Sequence, residues 1–418
     1  MRLKLFVFGL SVFAFLPLLL FSCATRPAET FPAVDPDEPY IEIDQGLPLA
    51  DGEPPPAGLV FTQQGFPSIN IPPGVGFVTT DGRDMAATLS ETERENLSAS
   101  FRNAYVNSRL RELPFSGVLG GDFVHGWPAF NPSAWVQNWR TTEPQSNSWG
   151  IPDLILAVRG FAEERETSGG RVFTVQGYFL DQYGRSGGIG GANGSVGYGS
   201  PRGYEFLYND NLAQRFDLGL ITVYRNGRSR FSPEEPPSLG LEPHPDIGVF
   251  IGGAPVSPYI QSAFITAWRM ALDRGIESMV PDDRGLYFSL AGTGWHLLGV
   301  ESVRSFFVQS FNQRSILLVL PVSPLLPPYP RFIASCFLET LLSDVRLPVS
   351  GAYGLDLLNI ALNDADDFYR KLVRGMAMYG IPLTDPMPVF NRETGFWQTT
   401  QRFSRGWLVQ TGYAGYYN

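Results

Sequence analysis

Leu212-Ala213-Gln214-Arg215-Phe216-Asp217-Leu218-Gly219-Leu220-Ile221-Thr222-Val223 is the stretch on which the fold reading turns. It sets a glutamine two residues before an aromatic, turns at Asp217-Leu218-Gly219, and runs on into a β-prone segment. The same step recurs at Val136-Gln137-Asn138-Trp139, Val308-Gln309-Ser310-Phe311 and Thr400-Gln401-Arg402-Phe403. NQRSILLV follows the third copy, SRGWLV follows the fourth, and LILAV at 154–158 follows the first less directly. Around Gln214, the strands YEFLY, LAQRF and LITVY are separated by Asn209-Asp210-Asn211 and Asp217-Leu218-Gly219, and Asn226-Gly227 then favours a tight hairpin turn.

Each copy has a helix-like segment upstream. The first offers Ser90 and Glu93 as a capping box, then Leu97, Phe101, Ala104 and Tyr105 on one stripe. The third has Ser257 as N-cap and Pro258 at N1, with Ile260, Phe264, Ala267 and Trp268 at identical spacing and an end near Gly275. The fourth aligns Phe368, Leu372 and Met376 from Asp364 onward and stops at Tyr379-Gly380. The second, VFTVQGYFLDQYG, is ambiguous between helix and strand, because β-branched residues and an internal glycine weaken it.

Units two and four share Tyr-Gly-x-Pro, at Tyr198 to Pro201 and Tyr379 to Pro382. Units one and three share the helix stripe and an upstream histidine: His125 precedes Gln137 by 12, and His296 precedes Gln309 by 13. The expected fold class is α+β: tandem small helix-plus-β-hairpin repeats, four quasi-repeats in two duplicated halves. The halves are placed at 85–236 and 255–418, joined by a Pro-rich stretch from Pro236 to His244. The positions that define the repeats are Gln137, Trp139, Gln214, Phe216, Gly219, Gln309, Phe311, Gln401, Phe403 and Gly406. Gly219 and Gly406 are expected where a tight turn calls for positive φ, and Phe216 and Phe403 in a small core.

Units two and four resemble the LGFP repeat of bacterial cell-envelope proteins. The matching positions are Gly199, Pro201, Gln214, Arg215, Phe216, Gly219 and Ile221, and again Gly380, Pro382, Gln401, Arg402, Phe403, Gly406 and Leu408. Tyr198 and Tyr379 stand where leucine is usual, and Leu408 replaces isoleucine. The resemblance implies a wall-binding or structural module with no chemistry of its own.

The N-terminus supplies an address. Arg2 and Lys4 precede an apolar run from Leu5 to Phe21, which reads as an export signal over 1–22. Leu20-Phe21-Ser22-Cys23 resembles the lipobox of bacterial lipoproteins, with Phe21 where a small residue is usual. That resemblance implies a Cys23 carrying palmitate-type acyl chains, an extracytoplasmic protein of the bacterial cell envelope, and the membrane as a partner through the lipid anchor. Residues 23–58 read as a tether: from Ala24 to Gly58 eight acids face one base, Arg26, and prolines culminate in Pro54-Pro55-Pro56. Such a segment stays extended and forms no core.

The 418 residues are 44% hydrophobic, enough for a core, but the catalytic inventory is thin: three histidines, two cysteines and, in Lys4 and Lys371, two lysines. Two cysteines exclude a disulfide framework or a Cys-rich zinc site. A net charge of −10 argues against nucleic acid as a partner. No cofactor or metal is expected, since GGIGGANG at 187–194 lacks the Lys-Ser/Thr of a phosphate loop and three histidines make a poor ligand set. Cys336 reads as a small buried apolar residue, His244-Pro245-Asp246 as a turn, and Glu163-Glu164 and Asp366-Asp367 as exposed helix-end acids.

Candidate ligand contacts are His125 and Trp127 in GGDFVHGWPAF, with Trp295 and His296 in the counterpart GTGWH. Tryptophan beside glycine and histidine suits stacking on a sugar ring with one polar handle. The sequence therefore points to non-catalytic binding of peptidoglycan or another envelope polysaccharide. A cell-wall hydrolase using His125, Asp122 or His296 between the halves is the alternative, and a purely structural or protein-binding lipoprotein the third.

Overall fold

The computed structural model describes residues 59–64, 66–76, 90–113, 115–118, 123–124, 135–141, 154–159, 171–185, 197–224, 226–251, 257–276, 278–289, 300, 302–303, 305–343, 366–391 and 396–410. The chain divides into the units Met1–Asp44 and Gln45–Asn418, and every described residue lies in the second. Helices and largely antiparallel sheets alternate along it, with β11 and β12 the parallel pair among the described strands, an α+β architecture.

Helix α1 (Glu91–Leu110) buries Leu97, Phe101, Ala104 and Tyr105, the stripe that its spacing predicts. Next come β2 (Phe115–Val118), β3 (Phe123–Val124), β4 (Trp135–Thr141), β5 (Leu154–Arg159) and β6 (Val172–Val175). They form a sheet in the order β2-β4-β5-β6, with β3 beside β4. The ambiguous segment from Val172 holds both elements: β6 is buried throughout, and α2 (Gly177–Arg185) begins after Gln176. Gly177, at φ 55°, lets the backbone turn there.

A meander follows, β7 (Phe206–Tyr208), β8 (Asn211–Phe216), β9 (Gly219–Val223) and β10 (Ser229–Pro233), paired in chain order. Asn209 and Asp210 take φ of 48° and 58° in its first turn, and Asn226 Oδ1 accepts from the Arg228 amide in its last. Segment β11 (Phe250–Ile251) then leads to α3 (Pro258–Asp273), whose Ser257 side chain accepts from the Ile260 amide as an N-cap should. The third sheet joins β11 to β12 (Gly285–Ser289), β13 (Ser305–Phe311), β14 (Ile316–Val322) and β15 (Arg331–Ile333) in that order. Strand β14, ILLVLPV, is buried at its first six positions, as a continuous apolar run requires.

Helices α4 (Ser335–Leu342) and α5 (Asp367–Tyr379) precede the last hairpin strands, β16 (Met387–Asn391), β17 (Phe396–Phe403) and β18 (Gly406–Gln410). This fourth sheet is completed from far away: β1 (Leu59–Gln63) lies antiparallel on β18, from Leu59 opposite Gln410 to Gln63 opposite Gly406. In the second sheet, β10 holds the corresponding place, with Pro233 opposite Gly219. Phe61 sits opposite Leu408, and Phe231 opposite Ile221.

That pairing explains two glycines differently from the turn argument. Gly406 has no positive φ, and Gly219, at 158°, is close to extended. A Cβ on Gly219 would come within 2.7 Å of Phe231 Cζ and would strike the Ser232 carbonyl. A Cβ on Gly406 would come within 2.7 Å of Phe61 Cζ and would strike the Thr62 carbonyl. The left-handed glycines of the two hairpin units are instead Gly199 (φ 76°) and Gly380 (φ 89°) in Tyr-Gly-x-Pro.

The largest core gathers Phe264 and Trp268 of α3, Phe306 and Phe311 of β13, Leu338 of α4 and Leu372 of α5, and it also takes Leu110 of α1. Conversely, Met270 of α3 packs on Phe173 and Tyr204. Helices α1 and α3 thus each bury a side chain among elements far away in sequence.

Candidate functional site

The four glutamines tie loops to strands. Gln137 Nε2 donates to Gly74 O at 3.0 Å, and its Oε1 accepts from the Gly76 amide at 3.4 Å. Gln309 repeats this: Nε2 donates to Asp246 O at 2.7 Å, and Oε1 accepts from the Gly248 amide at 2.9 Å. Gln214 Nε2 bridges Thr174 O and Gly203 O at 2.8 and 3.0 Å, while Gln401 Nε2 bridges Phe332 O and Thr384 O at 2.7 and 2.8 Å. Pro201 bridges Phe216, Pro281 bridges Phe311 and Pro382 bridges Phe403. Trp139, Phe216, Phe311 and Phe403 are fully buried. These residues hold the body together and are not exposed for ligand contact.

The loops gripped by Gln137 and Gln309 lie upstream of residues 85 and 255, and Ile247 between them is fully buried. Within 236–244, Ser238 donates to Asp273 Oδ1 from its amide at 3.1 Å, so that stretch is fastened to α3. His244-Pro245-Asp246 is a turn, closed by the Ile247 amide on His244 O at 3.0 Å. Cys336 opens α4, half-buried, and burial pushes its thiol up to about 11. Cys23, Asp122, His125, Trp127, Trp295 and His296 lie outside the described residues, as do Glu163-Glu164 and the glycine run at 187–194.

A shallow cleft of about 60 Å³, open to solvent, lies between α1 and α3. Helix α1 contributes Ser100 and Asn103, and α3 contributes Tyr259 and Thr266. Arg171, Tyr204 and Tyr329 complete the wall. Tyr259 is held by its hydroxyl on Pro328 O at 2.8 Å, and the Tyr329 hydroxyl donates to Asn107 Oδ1. Burial pushes the Tyr204 and Tyr329 hydroxyls up, so both act as neutral hydrogen-bonding groups.

Arginines back the aromatic wall. The Arg171 guanidinium carbon lies 4.6 Å from the Tyr329 ring centroid, and its nitrogens contact Met270 Sδ at 2.6 Å and Pro330 O at 3.4 Å. Arg331 stacks at 4.0 Å on the same ring, and Arg111 lies 4.9 Å from the Tyr204 ring. Arg111 is ion-paired with Glu205 at 2.6 Å, and Arg274 with Asp385 at 3.4 Å. Arg331 instead donates to the carbonyls of Pro327 at 2.7 Å, Leu383 at 3.3 Å and Tyr329. Its remaining Nη2 has no hydrogen-bond partner among the described residues. Burial lowers its pKa, and the Arg171 charge adds to that.

Sequence patterns did not pick out these wall residues. Tyr204 follows a shared Gly-x-Pro turn, Tyr259 follows the N1 proline of α3, and Tyr329 sits within Pro327-Pro328-Tyr329-Pro330. None belongs to a periodic stripe, and only tertiary closure brings them together. Among the described residues no cluster of three or more His, Cys, Asp or Glu could hold a metal ion. Neither a family model nor a curated protein sequence matches the chain.

Proposed function

We propose that this protein is a lipid-anchored component of a bacterial cell envelope that binds peptidoglycan or another envelope glycan without transforming it. The observation that carries the reading is the cleft wall. Tyr259 offers a half-buried ring, while Ser100, Asn103 and Thr266 offer polar handles beside it, the composition of a shallow saccharide contact. The anchor reading rests on Cys23 at the end of the apolar run.

We further read the body as four LGFP-like quasi-repeats in two duplicated halves. The support is recurrence of contacts at equal spacing: Gly76 to Gln137 and Gly248 to Gln309 both span 61 residues, and Gln137 to Gly74 and Gln309 to Asp246 both span 63. In the hairpin units the Arg202 amide donates to Arg215 O at 2.9 Å, and the Leu383 amide to Arg402 O at 2.8 Å. On this reading β10 completes the last sheet of the first half and β1 takes the equivalent place in the last sheet of the second.

The test is retention on purified sacculi together with membrane fractionation. Wild type is expected to co-sediment with sacculi, Tyr259→Ala to lose most of that retention, and Cys23→Ser to leave the membrane fraction. Trp127→Ala and Trp295→Ala report whether the sequence-derived contacts add to it. No retention of wild type would leave a structural or protein-binding lipoprotein. Release of soluble muropeptides by wild type but not by His125→Ala would establish the hydrolase.

A further inference from the structure

Two helix faces frame the cleft. Ser100, Asn103 and Ala104 share one face of α1, and Tyr259, Ala263 and Thr266 share one face of α3. They are equivalent positions: Ser100 answers to Ala263 and Asn103 to Thr266, at the offset that carries Leu97 to Ile260. The space between them, about 60 Å³, is roughly two waters' share of liquid volume. A sugar ring stays outside it, and only a small side group enters. The polar groups turned to this space are neutral. Thr266 is 5% exposed and lines the cleft, yet its hydroxyl makes no hydrogen bond among the described residues. A buried hydroxyl without a partner costs stability, so a ligand oxygen that accepts from it is favoured. The Ser100 hydroxyl donates to Asn96 O at 2.8 Å and keeps its lone pairs for a donor. Arg171 is engaged by Met270 Sδ, Pro330 O and the Tyr329 ring, so recognition here does not depend on its charge. Ala104, Val172 and Ala263 supply small apolar walls. A carbonyl oxygen, an N–H and a methyl held together in that volume make an acetamido group.

We propose that the cleft between α1 and α3 takes the acetamido group of an N-acetylated amino sugar. The carbonyl accepts from the Thr266 hydroxyl, the N–H donates to Ser100 Oγ, and the methyl lies against Ala104 and Ala263. The sugar ring remains outside, against Tyr259. This rests on the glycan-binding reading and narrows it to glycans that carry N-acetyl groups. A sugar with a hydroxyl in place of the acetamido group leaves the apolar walls uncovered and binds less well.

The experiment is calorimetric titration of the full chain in detergent micelles with two matched β-linked trisaccharides, one of N-acetylglucosamine and one of glucose. The expected result is that the acetylated trimer binds at least about tenfold tighter, the scale of one buried methyl plus one hydrogen bond. Thr266→Val removes the hydroxyl at nearly constant shape and should cut that ratio severalfold. Ala263→Leu fills the cleft and should bring the ratio close to one. Both variants should melt near the wild-type temperature. Equal binding of the two trimers, no binding of either, or a ratio unchanged in both variants would overturn the proposal. Sacculus retention decides the glycan reading separately: retention of wild type with equal trimer binding would keep that reading and remove the acetamido site from it. Acetyl-selective binding without sacculus retention would uphold the site and remove the envelope polymer as its ligand.

Discussion

Gln214 and Gln401 are fully buried, and each amide nitrogen serves two backbone carbonyls while its oxygen has no partner among the described residues. Replacing Gln401 by leucine removes one orphaned acceptor but also the donor that the Phe332 and Thr384 carbonyls share, and two lost bonds outweigh one gain. Gln401→Leu is expected to destabilise the fold by about 2 kcal/mol in urea unfolding, given about 1–3 kcal/mol for a buried group left unpaired. The recurrence of glutamine before an aromatic was legible because it is local. Its cause was not, since the carbonyls served lie 17 and 69 residues from Gln401. The glycines teach the same lesson. Gly406 is required by Phe61 and Thr62, which come from the other end of the described chain. Gly406→Ala should displace β1, raising hydrogen exchange at 60–62 well above wild type while 306–311 in β13 stays protected.

Helices were the most legible elements, because a buried stripe and a cap are both written within a few turns of sequence. Ser257 and Pro258 start α3, and Asp366 caps α5 by accepting from the Phe368 amide at 3.0 Å. Asp366 does more than cap. Its two oxygens also receive Arg314 Nη1 and Nη2 at 3.0 and 2.7 Å, and these bonds with Arg314, followed by the cap, hold its pKa down at about 2. Because the folded value lies below the unfolded value of about 3.9, the contribution is complete above pH 4 and vanishes as pH falls through 2. Asparagine can still cap, so Asp366→Asn isolates the ion pair. Its melting temperature should fall slightly below wild type at pH 6, and the gap should close towards pH 2 and shrink in 0.5 M salt, since both side chains are exposed. The segment from Val172 was harder to read, because strand and helix meet at Gly177 within one apolar run.

At the scale of the molecule, the strands that close the second and fourth sheets have different origins. β10 follows β9 after a short turn, whereas β1 reaches β18 from the opposite end of the described chain. No sequence pattern marks Leu59–Gln63 as a partner of Gly406–Gln410, because strand pairing is written in register and not in proximity. The cleft was illegible for the same reason: Asn103, Arg171, Tyr259 and Tyr329 meet only when α1 and α3 are brought side by side. Tyr259→Ala should therefore weaken ligand retention with little loss of stability, because its ring is only half-buried on that wall.

The β1–β18 pair also sets a clock. A ribosome makes β1 before any other described strand and β18 after all the other described ones, so the fourth sheet cannot close until Gly406–Gln410 has been made. Until the final strand emerges, β1 presents unpaired backbone groups, the kind of edge that invites pairing with another chain. Completion is thus postponed until the last described strand has been made. A nascent chain halted before Gly406 would carry its oldest strand still waiting for the youngest.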